Sequence, residues 1–159
     1  MQRPRLRLTS KEPVKPERLA NARLRNLPGQ LTPLLGREQE VPALRQLLNQ
    51  EHVRLLTLTG PGGVGKTRLG LQVASDLLDD FANGVCFVPL APISEPDLVV
   101  PTIAQTLGLR EAREVGDRPL LERLKVYLQG KQLLLLLDNF EQVVGQHPCS
   151  SNCWQPALG

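Results

Sequence analysis

Residues 60–67 read Gly60-Pro61-Gly62-Gly63-Val64-Gly65-Lys66-Thr67, which is a complete GxxxxGK[ST] pattern. A β-rich stretch at residues 53–58 precedes the pattern, and apolar residues at helical spacing follow it over residues 66–78. Because glycine has no Cβ, successive backbone N–H groups can converge on phosphate oxygens, and the helix dipole adds positive potential there. The pattern therefore predicts a phosphate-binding loop between a strand and a helix, rather than a plain glycine-rich turn.

The residues at the end of the loop carry the side-chain chemistry. Lys66 is predicted to reach the β- and γ-phosphates of a nucleotide as a mobile positive charge, and Thr67 is predicted to offer its hydroxyl to Mg²⁺. Arg68 follows in the first turn of the predicted helix and is counted among the nucleotide contacts. Residues 60–68 are therefore expected to bind a nucleotide together with magnesium.

A second chemical feature lies about 70 residues after the loop. Residues 132–137 are apolar at nearly every position, which is typical of a central parallel strand, and Asp138 follows them directly. An aspartate at that place can hold Mg²⁺ directly or through water, so Asp138 is predicted to act with Lys66 in any phosphoryl chemistry. The alternative is that Asp138 only caps a turn at the end of the strand.

Glu141 is the candidate catalytic base. The position directly after Asp138 is Asn139, and an amide can orient water but cannot accept its proton. Glu141 lies two residues further on and could take that role, or it could simply be a surface residue that opens a helix. The run Asp138-Asn139-Phe140-Glu141 also lacks the Asp-x-x-Gly pattern of GTPases, and no Asn-Lys-x-Asp guanine reader is present. The predicted ligand is therefore ATP or ADP.

The order of predicted elements is α-β-α-β-α-α-β, which indicates an α/β fold with a parallel sheet and right-handed crossovers. Periodicity places helices at about residues 38–49, 66–78, 97–107 and 119–128, and strands at residues 53–58, 85–90 and 132–137. Cys86 falls in one of these apolar strands and is expected to be a small buried hydrophobe.

Composition and charge exclude some classes of protein. The chain has 159 residues and a net charge of +3, and no apolar run reaches the ~18 residues of a membrane span. With no secretory apolar region either, the expected location is the cytoplasm, away from membranes. Residues 1–29 alone carry eight basic and two acidic side chains. Residues 1–33 are rich in proline as well, so we expect a linker or disordered arm, with nucleic-acid binding as the alternative.

The last fifteen residues, 145–159, lose all helical period. They contain His147, Cys149 and Cys153, but the spacing matches no common zinc pattern, and no zinc site is expected. One permitted back-translation of this tail reads as an amphipathic helix in another frame. We therefore hypothesise that the tail is a frameshift product, which the nucleotide sequence would test.

Three stretches together resemble the NB-ARC/STAND group of signalling ATPases: residues 34–38 (Leu-Leu-Gly-Arg-Glu), residues 56–67, and residues 135–141. The likeness covers about residues 26–144 and is strongest to the ATPase modules of large bacterial transcriptional regulators. It implies a P-loop NTPase three-layer sandwich and a switch between ADP-bound and ATP-bound states. It also implies that Gly36 and Arg37 contact the adenine, and that partner domains carry the output, with DNA bound only indirectly. It leaves the oligomeric state open.

The resemblance also leads us to expect an incomplete domain. Family members continue past the second motif into a further strand, a helical lid and a winged helix, and the further strand inserts between the P-loop strand and the strand before Asp138. Residues 34–144 are thus expected to form a partial nucleotide-binding domain with little turnover and unpaired backbone beside residues 53–58. The alternative enzyme is an autonomous P-loop ATPase or small kinase, which would need a lid after Asp138.

Overall fold

The structure of the protein is a computed structural model, and it describes residues 23–30, 32–109 and 119–144. Its strands are β1 (Leu24–Arg25), β2 (Gly84–Pro89) and β3 (Leu134–Asp138). Its helices are α1 (Glu40–Leu48), α2 (Lys66–Asp76), α3 (Val99–Thr106), α4 (Leu120–Leu128) and α5 (Glu141–Val144), with a 3₁₀ turn at Pro96–Leu98 before α3. No helix in these three ranges has the length and apolar content to cross a membrane.

The described strands form one parallel sheet in the order β1-β2-β3. Strand β3 runs beside β2 from the pair Val85–Leu134 to the pair Pro89–Asp138. Successive side chains of a strand point to opposite faces, and β3 is apolar on both. Leu134 packs against α2, whereas Leu135 and Leu137 pack in the cluster on the other face. The sheet is therefore covered by helices on both sides, which confirms the α/β class and the three-layer arrangement.

One helical layer consists of α1 and α2. Leu69 and Val73 of α2 form a buried cluster with Leu77, which directly follows the helix, and the apolar side chains of α1 and Leu134 of β3 pack against this cluster. Gly70 lets the helix lie close to the sheet, because a Cβ there would stand 3.1 Å from Leu136 Cδ1. This packing confirms the helices predicted at residues 38–49 and 66–78.

The other layer consists of α3 and α4. Cys86, Val88 and Leu90, in and just after β2, share a buried cluster with Leu107 and Leu124 from the helical side. Cys86 is fully buried, as predicted, and burial raises the pKa of its thiol. The predicted helix at residues 97–107 is confirmed, with its first turn in the 3₁₀ form, and so is the helix at residues 119–128.

The strand predicted at residues 53–58 is wrong. These residues join no backbone ladder with any described strand and lead as irregular chain into the glycine loop. Their side chains still alternate, since Leu56 and Leu58 are half-buried while Leu55 is 79% exposed. A strand also needs a neighbour that satisfies its N–H and C=O groups, and β1, β2 and β3 pair only with one another. The local pattern reports only the alternation, whereas the unpaired backbone beside residues 53–58 is what the family resemblance led us to expect.

The described residues 23–30, 32 and 33 also differ from the expected linker or disordered arm at residues 1–33. Strand β1 pairs with β2 through Leu24–Gly84 and Arg25–Val85. The side-chain amide of Asn26 then continues the pairing, because it accepts from Phe87 N at 2.7 Å and donates to Phe87 O at 2.9 Å. The rest of the predicted basic arm, residues 1–22, and the tail at residues 145–159 lie outside the described residues, as do His147, Cys149 and Cys153.

Gly84 is expected to be the most sensitive position of the β1–β2 contact. Its φ is +85°, and an added Cβ would lie 2.2 Å from Leu24 O. Gly84→Ala should therefore lower the free energy of unfolding by about 2 kcal/mol, measured by urea denaturation. Gly29→Ala is the matched control, because a Cβ at Gly29 meets nothing within 4 Å. Equal unfolding midpoints for the two variants would contradict this account of the contact.

Candidate nucleotide-binding site

The glycine loop at residues 60–65 has a backbone that other residues rarely adopt. Gly60, Gly63 and Gly65 have φ values of +147°, +80° and +84°. Gly65 is the residue before α2, and its carbonyl accepts the helical bond from Leu69 N at 2.9 Å. An added Cβ at Gly63 or Gly65 would meet no protein atom within 4 Å, so the space beside the loop is open to a ligand. The positive end of the α2 dipole lies at the same place.

The side chain of Lys66 spans the glycine loop. Its Nζ donates to Gly60 O at 2.9 Å and to Pro61 O at 3.1 Å. These bonds hold the ammonium group across the loop, and no carboxylate of the described residues forms an ion pair with it. The lysine can therefore exchange carbonyl partners for phosphate oxygens at little cost.

Thr67 and Asp138 meet across the site although 71 residues separate them. The Thr67 hydroxyl donates to Asp138 Oδ1 at 2.7 Å. Thr67 lies in the first turn of α2 and Asp138 is the last residue of β3, so the packing of α2 on the sheet brings them together. A hydroxyl and a carboxylate are hard oxygen donors of the kind that Mg²⁺ prefers, and this donor set fits the predicted magnesium.

Glu141 follows Asp138 by three residues, after the chain has turned out of β3. Asn139 has a φ of +61°, a left-handed conformation that asparagine tolerates and that turns the chain from β3 into α5. Glu141 is the first residue of α5 and is exposed. Its part as catalytic base remains a prediction.

Arg37 lies beside the loop. One guanidinium nitrogen, Nη2, donates to Val64 O at 3.0 Å, and the other, Nη1, donates to Glu40 Oε1 at 2.8 Å. The hydrogen bond from Arg37 lowers the pKa of the Glu40 carboxyl below its ordinary value. Gly36 precedes Arg37 with a φ of +72°, and its N–H donates to Glu38 Oε1 at 2.9 Å. Of the two predicted base contacts, Arg37 therefore contacts the loop, and the contact of Gly36 and Arg37 with a base stays a prediction.

An open cavity of about 350 Å³ is lined by the same segment. Its walls are Pro33, Leu34, Arg37, Glu38, Val41, Pro42 and Gln72. Both the chain before α1 and the outer face of α2 contribute to it. No residue of the phosphate loop lines the cavity, and Arg37 is the lining residue that also contacts the loop, at Val64 O.

No local sequence signal points to the contacts that Arg68 makes with Gln30, Thr32 and Pro33. The Arg68 guanidinium donates to Thr32 O, Thr32 Oγ1 and Pro33 O at 3.0, 2.9 and 3.1 Å. The Gln30 amide donates to Arg68 O at 3.3 Å. Gln30 and Thr32 belong to no recognised motif, and their spacing from Arg68 is too long for a local pattern to reveal.

The glycine loop leads into α2, which packs on a parallel sheet, and Asp138 lies at the end of β3 beside the start of that helix. This arrangement is that of a P-loop nucleotide-binding protein. The sequence pattern of the NB-ARC domain matches residues 37–145. The chain belongs to the NB-ARC domain family, and this confirms the family suggested by the three motifs.

Several named proteins are similar to the chain. A putative HTH-type transcriptional regulator of Mycobacterium tuberculosis is 41% identical over 101 residues, which is 64% of this chain and 11% of that protein. The regulatory protein AfsR of Streptomyces griseus is 32% identical over 123 residues, covering 71% and 12% of the two chains. A probable disease resistance protein of Arabidopsis thaliana is 36% identical over 91 residues, covering 57% and 9%. The chain thus spans about a tenth of the length of these relatives, and no solved structure matches it.

Proposed function

We propose that the chain binds an adenine nucleotide, ATP or ADP, with Mg²⁺, as the nucleotide-binding module of a signalling or transcription-regulating ATPase with little turnover. The observation that carries this proposal is the 2.7 Å hydrogen bond between Thr67 Oγ1 and Asp138 Oδ1. This bond joins the phosphate-binding loop to the end of the apolar strand. The two sequence motifs therefore form one site in the folded chain.

The residues have separate tasks in this proposal. The backbone of residues 60–65 and the ammonium group of Lys66 hold the phosphates. Thr67 and Asp138 hold Mg²⁺, which would neutralise part of the phosphate charge when bound. Arg37 and Gly36 lie on the side of the loop where the base is expected. The preference for adenine rests on that position and on the lack of the two guanine-type sequence patterns.

Two observations favour a regulatory switch over an efficient hydrolase. Asn139 occupies the position next to Asp138, where it cannot accept a proton, and Glu141 is exposed on the following helix. The similar proteins from Mycobacterium and Streptomyces are named as regulators. We infer that this module reports nucleotide state to partner domains, and that any contact with DNA is indirect.

Calorimetric titration of this chain tests the proposal directly. ADP, ATP and GDP are titrated in Mg²⁺ and again in EDTA, and phosphate release from ATP is followed separately. We expect ADP and ATP to bind saturably and at least about tenfold more tightly than GDP, a difference of about 1.4 kcal/mol. Equal binding of GDP would contradict the adenine preference. Absence of binding by all three would contradict the function itself, and fast phosphate release would contradict low turnover.

A further inference from the structure

The chain before α1 forms a strap, which we define as residues 23–30 and 32–37. It starts as an added strand on β2, with Leu24 N donating to Asn83 O at 3.0 Å. It continues through the double hydrogen bond between Asn26 and Phe87. It ends at Arg37, whose guanidinium donates to Val64 O in the phosphate loop. The strap therefore connects the edge of the sheet to the nucleotide site.

Arg68 clasps the middle of this strap. A single guanidinium nitrogen, Nη2, faces three oxygens, namely Thr32 O, Thr32 Oγ1 and Pro33 O, all at 3.1 Å or less. The backbone of Arg68 is held in return, because Gln30 donates to its carbonyl. Hydrogen bonds from a charged donor are roughly twice as strong as neutral ones. The clasp is therefore the strongest polar link that the described structure shows between the strap and α2.

The position of Arg68 connects this clasp to the site. Arg68 directly follows Lys66 and Thr67 in the first turn of α2, so the clasp holds the strap against the end of the helix that faces the phosphates. Pro33, one of its acceptors, lies four residues before Arg37 and lines the same cavity. Arg37 is partly buried, and its guanidinium joins the end of the strap to Val64 O in the loop and to Glu40 on α1, so the strap and α1 together set its position.

We propose that Arg68 is a positioning residue for the nucleoside half of the ligand. Its guanidinium fixes Thr32 and Pro33 on α2, and this holds the segment carrying Gly36 and Arg37 beside the phosphate loop. Arg68 thereby acts on the base through the strap rather than on the phosphates through its own side chain. This inference rests on the proposed binding of an adenine nucleotide.

The test compares a ligand that has a base with one that lacks it. ADP and tripolyphosphate, both with Mg²⁺, are measured on the full chain by displacement of a fluorescent ADP analogue. In Arg68→Ala the ADP affinity should fall about tenfold, whereas the tripolyphosphate affinity should stay within about twofold of the wild-type value. Arg68→Lys should recover part of the ADP affinity, because a lysine can still donate to the Thr32 and Pro33 carbonyls. Lys125→Ala, which removes a positive charge on α4, should change neither affinity.

Two results would overturn the role of Arg68. An equal fall in the affinities for ADP and tripolyphosphate would show that Arg68 supports the phosphate site or the fold. Unchanged affinities would show that the hydrogen bonds of Arg68 to the strap do not affect nucleotide binding. If tripolyphosphate displaces the analogue too weakly, the ratio of ADP to GDP affinity replaces it. That ratio should move towards one in Arg68→Ala, and an unchanged ratio would again overturn the role. Failure of the wild-type chain to bind ADP would instead contradict the proposed function, which separates the two hypotheses.

Discussion

Lys66→Ala is expected to lower the affinity for ATP and ADP by about 100-fold or more, which corresponds to about 2.7 kcal/mol. In the structure, Lys66 Nζ bonds only to the Gly60 and Pro61 carbonyls among the described contacts. In the bound state it would instead donate to charged phosphate oxygens, and a hydrogen bond to a charged group contributes about 1.5–3 kcal/mol. Alanine removes the positive charge and these donors, and calorimetric titration of ADP in Mg²⁺ measures the loss.

The fold should survive the loss of Lys66, because its side chain is only half-buried and contacts exposed loop carbonyls. Matching far-UV circular dichroism and unfolding midpoints would establish that point. Lys125→Ala is the charge control, since Lys125 lies on α4 and pairs with Glu122 at 2.8 Å.

The same two variants, Lys66→Ala and Lys125→Ala, also test the alternative in which the basic arm binds nucleic acid. In that case nucleic-acid affinity would persist in Lys66→Ala and fall steeply with salt. Unaltered ADP affinity in Lys66→Ala would contradict the assignment of the site.

Asp138→Asn is expected to abolish the part of the nucleotide affinity that depends on Mg²⁺. Asparagine keeps an oxygen that can accept from the Thr67 hydroxyl, but it removes the negative charge that a magnesium ion needs. In Mg²⁺ the ADP affinity should fall about tenfold, whereas in EDTA it should stay the same or rise, because the carboxylate no longer repels the phosphates. Titrations at matched ionic strength with and without Mg²⁺ measure the difference.

Two controls accompany Asp138→Asn. Asp97→Asn removes a carboxylate from the 3₁₀ turn before α3 and should leave the Mg²⁺ dependence intact. Thr67→Val removes the other proposed ligand and should reproduce the Mg²⁺ defect. If Asp138→Asn kept the full enhancement by Mg²⁺, Asp138 would be a residue that only orders the end of β3, as the turn-capping alternative holds.

The elements that the sequence predicted well are those with a strong local pattern. The helices at residues 38–49, 66–78 and 119–128 show apolar residues at helical spacing, and each has a buried or half-buried face in the structure. The strand before Asp138 is recognisable because a short and uniformly apolar run is typical of a parallel strand that packs on both faces, as β3 does. Residues 53–58 have a similarly clear pattern, but the prediction of a strand there is wrong. A strand also needs a neighbouring strand to satisfy its backbone N–H and C=O groups.

The residues of the candidate site also separate into those that a local sequence pattern predicted and those that it did not. Lys66, Thr67 and the glycines were identifiable because the loop, its turn and the start of the helix are contiguous, and positive φ values require glycine at fixed spacing. The partnership of Thr67 with Asp138 could be anticipated only from motif order, and its geometry comes from the packing of α2 on β3. The clasp of Arg68 on Thr32 and Pro33 gave no sequence signal, because 35 and 36 residues separate the partners and none lies in a periodic pattern.

The sequence by itself therefore determined the phosphate loop, the apolar strand ending in Asp138, and the α/β class, because these depend on neighbouring residues and on periods of two or 3.6. Only the tertiary structure placed β1 beside β2 and brought Arg37 to Val64. Those features depend on which surfaces meet after distant parts of the chain pack together. Contacts across 27 to 71 residues carry no local period, so they become visible only in the folded molecule.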